Sequence, residues 1–362
     1  MRATFCPVSG FLGAGKTTTL LALATELRAR GHRPAIVTND QGRDLVDTQL
    51  ARTVTDDVGE VVDGCFCCRF EDLARVVTEL VGRGVDVVLA EAVGSCTDLR
   101  ATVVRPLREH HGDSLRVAPL TTVVDPVRYR NFARAWASGQ DTDTGYLYAH
   151  QLAEADIVAV NKVDLVGRGV APLLADLGRR NRSANLVAYS ARSGDVTELA
   201  DLLMVDAEPA DRPGEELDYD RYAAAEAELG WLNHGVTVLG RFAPAYWARI
   251  ALTTLSARCA DAGVLVGHAK VSLAAGTALT KASLTAAGEP PTVDLAGPEE
   301  VTEARAVLNL RVALPPAELN KAASAAVAAA DSACGTTSTA TTQPAAFQPS
   351  YPRPTHRIAV SG

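Results

Sequence analysis

Two units, a mainly parallel α/β domain followed by a small α+β domain, are what this sequence predicts. Three observations predict them. Gly10-Phe11-Leu12-Gly13-Ala14-Gly15-Lys16-Thr17 lies between a short apolar run, Thr4 to Ser9, and a helix opened by Thr18-Thr19-Leu20-Leu21. Buried-strand runs then alternate with helical spacings as far as residue 205, the pattern of a parallel sheet covered by helices. From about residue 230 the alternation changes to strand-like runs with helices between and after them.

The bulk numbers narrow the class of molecule. At 362 residues the chain is long enough for two domains. Its 47% hydrophobic and 22% charged content is ordinary for a globular protein. A formal net charge of −8 argues against nucleic-acid binding as the main role, because such proteins carry a basic face. No apolar run approaches the length of a membrane span and the first strand begins at once, so no membrane partner and a cytoplasmic location are expected. The seven cysteines are not a disulfide framework for a chain of this length. Three of them, Cys65, Cys67 and Cys68, crowd into one turn, which points to metal or redox chemistry.

Taken in order, strand, glycine loop, Gly-Lys-Thr and helix form the P-loop arrangement, and the first domain is expected to be a P-loop NTPase domain over 1–205. Gly31 and Pro34 end the first helix and begin the strand Pro34–Thr38, which delivers Asn39-Asp40-Gln41-Gly42 to a loop. A brief strand, 59–63, ends in Gly64-Cys65-Phe66-Cys67-Cys68. Residues 69–82 carry Leu73, Val76, Val77, Leu80 and Val81 on one helical face. Val85–Ala90 is an apolar strand ending at Glu91, a strand over 117–124 ends at Asp125, and Ile157–Val160 delivers Asn161-Lys162-Val163-Asp164. A helix–strand–helix unit over 170–202 carries Tyr189-Ser190-Ala191 at its strand end. These polar residues fall at carboxyl ends of strands, where open α/β sheets bind ligands. Residues 206–229, acidic with two prolines near the start, read as an exposed linker. The second domain is expected over 230–332, with helices near 244–262 and from Pro315 to about 330, and a Thr/Ser/Pro-rich disordered segment over 333–362.

Four constellations carry chemistry. In the P-loop, Gly10, Gly13 and Gly15 let backbone N–H groups approach phosphate oxygens, with Ala14 and Thr18 in the same loop and helix start. Lys16 brings an ammonium to the β- and γ-phosphates and Thr17 a hydroxyl ligand to Mg²⁺. Asp164 can accept two hydrogen bonds from guanine where adenine offers no such pair, with Asn161 and Lys162 bracing the base and the P-loop. The Ser190-Ala191 backbone stands where it could meet the guanine oxygen. Glu91 is a second candidate for Mg²⁺, Gly94 a backbone donor to the γ-phosphate, and Asp40 a contact to metal or attacking water when its loop closes. Cys65, Cys67 and Cys68 offer three soft ligands suited to Zn²⁺ or another late transition metal. A fourth ligand comes from Asp63, Cys96, water or a partner; packed apolar cysteines and a redox pair are the competing readings. Cys96 and His268 are expected to be ordinary packed residues.

In that order, Gly-Phe-Leu-Gly-Ala-Gly-Lys-Thr-Thr, Gly-Cys-x-Cys-Cys, Glu-x-x-Gly and Asn-Lys-x-Asp resemble the motif set of the CobW-like metal-chaperone GTPases, relatives of the nickel-insertion GTPases of urease and hydrogenase. The resemblance covers roughly 1–205 with specific motifs and continues weakly through about 230–332. It implies GTP hydrolysis coupled to delivery of a metal, often zinc and in some branches cobalt. By motif position Lys16 and Thr17 carry over to phosphate and Mg²⁺, Cys65, Cys67 and Cys68 to the transported metal, and Asn161 and Asp164 to guanine. The chain departs from the family in two places. Asn39-Asp40-Gln41-Gly42 stands where Asn-Glu-Phe-Gly is common, and Ser95-Cys96-Thr97 follows Glu-x-x-Gly in place of small residues. There is no His-rich loop among the seven histidines, so metal storage is not expected.

The expected molecule is therefore a GTPase whose nucleotide state arranges the three thiolates around a metal, Zn²⁺ or Co²⁺, and loosens them toward a client metalloprotein or a cofactor-assembly enzyme. A homodimer is left open. Two alternatives stand beside it: a regulatory GTP-binding module with structural cysteines, and an assembly chaperone for a corrinoid or other metalloenzyme.

Overall fold

The computed structural model describes residues 2–39, 46–206, 216–341 and 345–359. Asp40, Gln41 and Gly42 lie outside the described residues, and with them the contact to metal or attacking water expected of Asp40. The chain divides into two compact units, one of residues 1–41, 47–225 and 351–362, the other of 42–46 and 226–350.

The first unit has a P-loop NTPase fold. Its sheet contains β1 (Ala3–Ser9), β2 (Pro34–Asn39), β3 (Val58–Val61), β4 (Val87–Glu91), β5 (Leu115–Val117), β6 (Thr121–Val124), β7 (Ile157–Val160) and β8 (Asn185–Ala188). They lie in the order β3-β2-β4-β1-β6-β7-β8, with β5 also on β1, and every pairing is parallel. The central strands β1, β4 and β6 are buried at every residue and mostly apolar, as in a parallel sheet covered on both faces. Helix α1 (Lys16–Ala29) buries Leu20, Leu23, Ala24 and Leu27, spaced at one face of a helix, in the core that holds Ile36, Val87 and Leu89. The run 117–124, expected as one strand, is two, because Pro119 has no N–H to donate at the break. The parallel order places the carboxyl ends of β1, β4, β6, β7 and β8 along one edge, so the residues that follow them share that edge.

Around the sheet lie α2 (Val46–Ala51), α3 (Phe70–Gly82), α4 (Arg105–His111), α5 (Pro126–Ala137), α6 (Asp143–Glu154), α7 (Val170–Arg180) and α8 (Thr197–Met204). Within the stretch expected as a linker, Tyr219–Ala227 forms a further helix, α9, with Tyr222 buried.

The second unit is an antiparallel sheet with two helices. β9 (Gly230–Phe242), β10 (Val266–Ala275), β11 (Ala278–Leu284), β12 (Thr292–Leu295) and β13 (Val301–Val312) run in the order β12-β11-β10-β13-β9. Helices α10 (Pro244–Asp261) and α11 (Pro316–Cys334) share its core, with Trp247, Leu252 and Leu255 beside Val271 and Leu308. His268 is a packed strand residue whose Nε2 bonds Asn309 Oδ1 at 3.0 Å. The structure differs from the disorder expected over 333–362. Gly335, at φ 67, ends α11, and β14 (Thr337–Ala340) and β15 (Ala345–Phe347) pair with β9. A Thr/Ser-rich sequence orders here because an open strand edge supplies partners for its backbone.

Candidate nucleotide and metal site

The P-loop leaves β1 at Gly10, in the middle of the sheet. Gly10 has φ 135, and a Cβ there would stand 2.3 Å from the Val123 carbonyl oxygen. Gly15 has φ 94, and its Cβ would meet Asn161 Nδ2 at 2.4 Å. Both positions are therefore closed to any side chain. Lys16 is buried and its Nζ donates to the Gly10 carbonyl at 2.8 Å, so the ammonium folds back across the loop. Thr17 Oγ1 donates to Asp47 Oδ1 at 2.9 Å. A hydroxyl and a carboxylate in contact are the hard oxygen donors that Mg²⁺ takes, so the donor set fits that ion. Thr18 is half-buried in the first turn of α1. Thr19 anchors the turn through Gly15 O at 2.9 Å and Tyr189 OH at 2.8 Å.

Glu91 ends β4 opposite Val8 of β1 and is 7% exposed, which puts its carboxyl next to the strand that feeds the P-loop. Gly94 packs against the P-loop itself: a Cβ there would be 2.9 Å from Leu12 N. The buried amide of Gln151 in α6 donates to Gly94 O at 3.0 Å and to Cys96 O at 2.8 Å, fixing the whole Glu91–Cys96 turn.

Asn161 and Lys162 reach the P-loop. Asn161 Nδ2 donates to Ala14 O at 3.1 Å, and Lys162 Nζ donates to Gly13 O at 2.6 Å and to Asp125 Oδ2 at 2.8 Å. Burial opposes ionisation of Asp125, but the charge and hydrogen bond of Lys162, with help from Arg128, hold its carboxyl below the usual range. Asp164 is exposed, in a short helical turn beside them. Ala191 differs from the expectation. Its N–H donates to Asn161 Oδ1 at 2.9 Å, so in this structure it supports the Asn-Lys-x-Asp turn. Ser190 pairs with Asp195 through a backbone bridge.

The cysteine turn lies between β3 and α3. Arg69 N and Cys68 N both donate to Cys65 O, at 2.9 and 3.0 Å, which curls the backbone tightly enough to gather the thiols. Cys65 Sγ is 2.7 Å from Cys67 Sγ, Cys67 Sγ is 3.9 Å from Cys68 Sγ, and all three lie within 4.8 Å of one another. Hydrogen bonds from Cys67 to Cys65, Cys68 and Cys96, with burial, push its thiol well above the usual range. Cys68 is pushed up to about 11, first by its bond to Cys65 and then by burial. A metal taken here displaces protons as it binds.

Asn39, Asp47, Asp125 and Gln151 are the residues that sequence reasoning left without a role. Asn39 is the most informative. Its Nδ2 donates to Val61 O at 3.0 Å and Gly64 O at 2.8 Å, and its Oδ1 accepts from Phe66 N at 2.9 Å. The last residue of β2 thus ties the turn that carries the cysteines to the strand that feeds the Asp40 loop. A polar residue at the end of an apolar strand, standing where the family's Asn-Glu-Phe-Gly begins, was its signal in the sequence. Cys96, expected to be ordinary packing, is buried and joins the thiol cluster through Cys67.

The chain is similar to known proteins. Residues 5–188 match the family described as CobW/HypB/UreG, nucleotide-binding domain. A protein of Pseudomonas aeruginosa named zinc chaperone CobW is 30% identical over 189 residues, covering 43% of this chain and 48% of the relative. A zinc chaperone CobW of Sinorhizobium is 26% identical over 268 residues, covering 62% and 72%. The chain thus spans about half the length of the Pseudomonas relative. The zinc-bound crystal structure of the Escherichia coli GTPase YjiA aligns over 89% of this chain and 98% of its own at 18% identity, with a TM-score of 0.40. With the family match running from Phe5 in the first strand to Ala188 at the end of β8, the chain belongs to the CobW/HypB/UreG family.

Proposed function

We propose that this chain is a GTP-hydrolysing metallochaperone of the cytoplasm. The P-loop holds the triphosphate, Asp164 selects guanine, and Cys65, Cys67 and Cys68 carry a transition metal to a client metalloprotein or cofactor-assembly enzyme. The observation that carries this reading is the clustering of three thiols on a turn that Asn39 ties to β2. Zinc is the first choice of metal, because thiolates suit it and the curated relatives are named zinc chaperones; cobalt is the second.

In this reading Lys16 leaves the Gly10 carbonyl for the β- and γ-phosphates, and Gly94 offers its N–H to the γ-phosphate. Thr17, with Glu91 or Asp47, would hold Mg²⁺, which would supply charge neutralisation on the phosphates. Asp40 orients the attacking water when its loop closes. Two paths lead from the γ-phosphate to the thiols. One runs from the Asp40 loop through Asn39 to Gly64 and Phe66. The other runs from Gly94 through Gln151 and Cys96 to Cys67. GTP tightens the thiol site and hydrolysis loosens it.

The test is metal affinity with a non-hydrolysable GTP analogue and with GDP. At least about tenfold tighter zinc binding with the analogue is expected, within the usual range for coupled sites. Equal affinities overturn the coupling. The mutually hydrogen-bonded thiols also suit a regulatory GTP-binding module with structural cysteines. Replacing Cys67 with Ser separates the two: lost metal binding with an intact fold favours the chaperone, and unfolding without a change in metal binding favours the module.

A further inference from the structure

Residues Tyr351–Ala359 lie along the first unit, across the cysteine turn. Thr355 N donates to Cys67 O at 2.9 Å, and Thr355 Oγ1 donates to Cys68 O at 3.1 Å. Arg353 N donates to Cys68 Sγ at 3.3 Å. Further along, Ile358 N donates to Ala101 O at 2.9 Å, and Arg105 Nη1 donates to Ile358 O at 2.8 Å. The segment therefore spans from the thiols to the residues a few positions past Gly94. Its backbone is held by the Cys67 and Ala101 carbonyls and by the Cys68 thiol and the Arg105 guanidinium, contacts to main-chain atoms of the kind that bind extended peptides.

The side chains add charge. His356 Nε2 bonds Glu71 Oε1 at 2.9 Å, and its ring meets Phe70 edge-on with centroids 4.9 Å apart. Arg357 Nε donates to Asp98 Oδ2 at 2.8 Å. Tyr351 OH donates to Asp220 Oδ1 at 3.1 Å. Three carboxylates thus face a stretch, Tyr-Pro-Arg-Pro-Thr-His-Arg-Ile-Ala, that has two arginines, a histidine and no acidic residue. Pro352 and Pro354 hold it extended before it docks.

We propose that this groove, from Cys67–Glu71 to Asp98–Arg105, is the docking site for an extended, proline-containing basic segment of the client, and that Tyr351–Ala359 is the chain's own occupant, which the client segment replaces. The backbone bonds accept many sequences, and Glu71 and Asp98 select a hydrogen-bond donor and a cation at adjacent positions. The exchange brings a client to the cysteines and uncovers Cys68 in the same step. The proposal deepens the metallochaperone reading and rests on it only for the identity of the partner; peptide binding itself does not need the metal.

The test uses the full chain and a fluorescein-labelled synthetic peptide of residues 350–359, followed by fluorescence anisotropy in chelator. A tethered occupant competes at high effective concentration, so wild type should bind the peptide weakly. Chain carrying His356→Glu and Arg357→Glu, whose own segment is repelled by Glu71 and Asp98, should bind it at least about tenfold more tightly, the scale on which tethering acts. Adding Glu71→Gln and Asp98→Asn should cancel that gain, and a peptide with Glu at the Arg357 position should not bind the released chain, a control that leaves the protein fold untouched. Equal binding by wild type and released chain, or a gain that survives loss of both carboxylates, overturns the proposal. Zinc affinity measured on the same proteins through Cys67→Ser tells failure of the groove apart from failure of the metal site.

Discussion

At the scale of single residues, small changes of donor or volume decide whether the site forms. Gly15 has φ 94 and room for no Cβ within 2.4 Å of Asn161 Nδ2. Gly15→Ala forces a left-handed alanine, at about 1–2 kcal/mol, and drives Asn161 off the Ala14 carbonyl. Nucleotide affinity should fall at least about tenfold, since each 1.4 kcal/mol is a factor of ten, and calorimetry with a non-hydrolysable GTP analogue reads it. Asn39 is the corresponding residue beside the cysteine turn. Asn39→Asp keeps the acceptor for Phe66 N but removes both donors to Val61 O and Gly64 O. Leaving those carbonyls facing a carboxylate costs about 1–3 kcal/mol. The melting temperature and the zinc affinity should both drop; an unchanged zinc affinity would mean that the cysteine turn forms without Asn39.

At the scale of elements, the turn after β4 and helix α6 behave as one device. Gln151 holds the Gly94 and Cys96 carbonyls, and three residues later Glu154 accepts from Thr97 Oγ1 at 3.2 Å and Arg100 N at 3.2 Å. Burial, with the Asp98 charge beside it, pushes the Glu154 carboxyl up to about 8, against lowering by Arg100 and Thr97. A raised folded-state value means that the folded chain binds more protons than the unfolded one between about pH 4.5 and 8. The stability this supplies is fully present below the unfolded value and is lost as pH rises through about 8. Thermal melts from pH 5 to 9 should show wild type losing stability relative to Glu154→Gln as pH rises across that window. Parallel curves would place the proton elsewhere.

At the scale of the whole molecule, any coupling between nucleotide and metal must be reciprocal. If the GTP analogue raises zinc affinity by some factor over the GDP state, zinc must raise affinity for the analogue over GDP by the same factor. Two titrations on one preparation check this: a common factor well above one is expected, and a factor of one in both directions would show that metal and nucleotide are uncoupled. The sequence alone determined the P-loop, the Asn-Lys-x-Asp turn and the cysteine trio, because each is a contiguous motif whose chemistry is set by neighbours in the chain. It also determined the parallel sheet, since buried strands such as Val87–Glu91 must be apolar on both faces. Tertiary structure decided the rest. Asn39 acts on Gly64 25 positions away, and Gln151 acts on Gly94 57 positions away. Arg353 reaches Cys68 across 285 positions, so a stretch whose composition predicts disorder lies docked on the cysteine turn. Composition reports what a segment can bury by itself, and an ordered partner that supplies hydrogen bonds and opposite charge is visible only once the chain has folded.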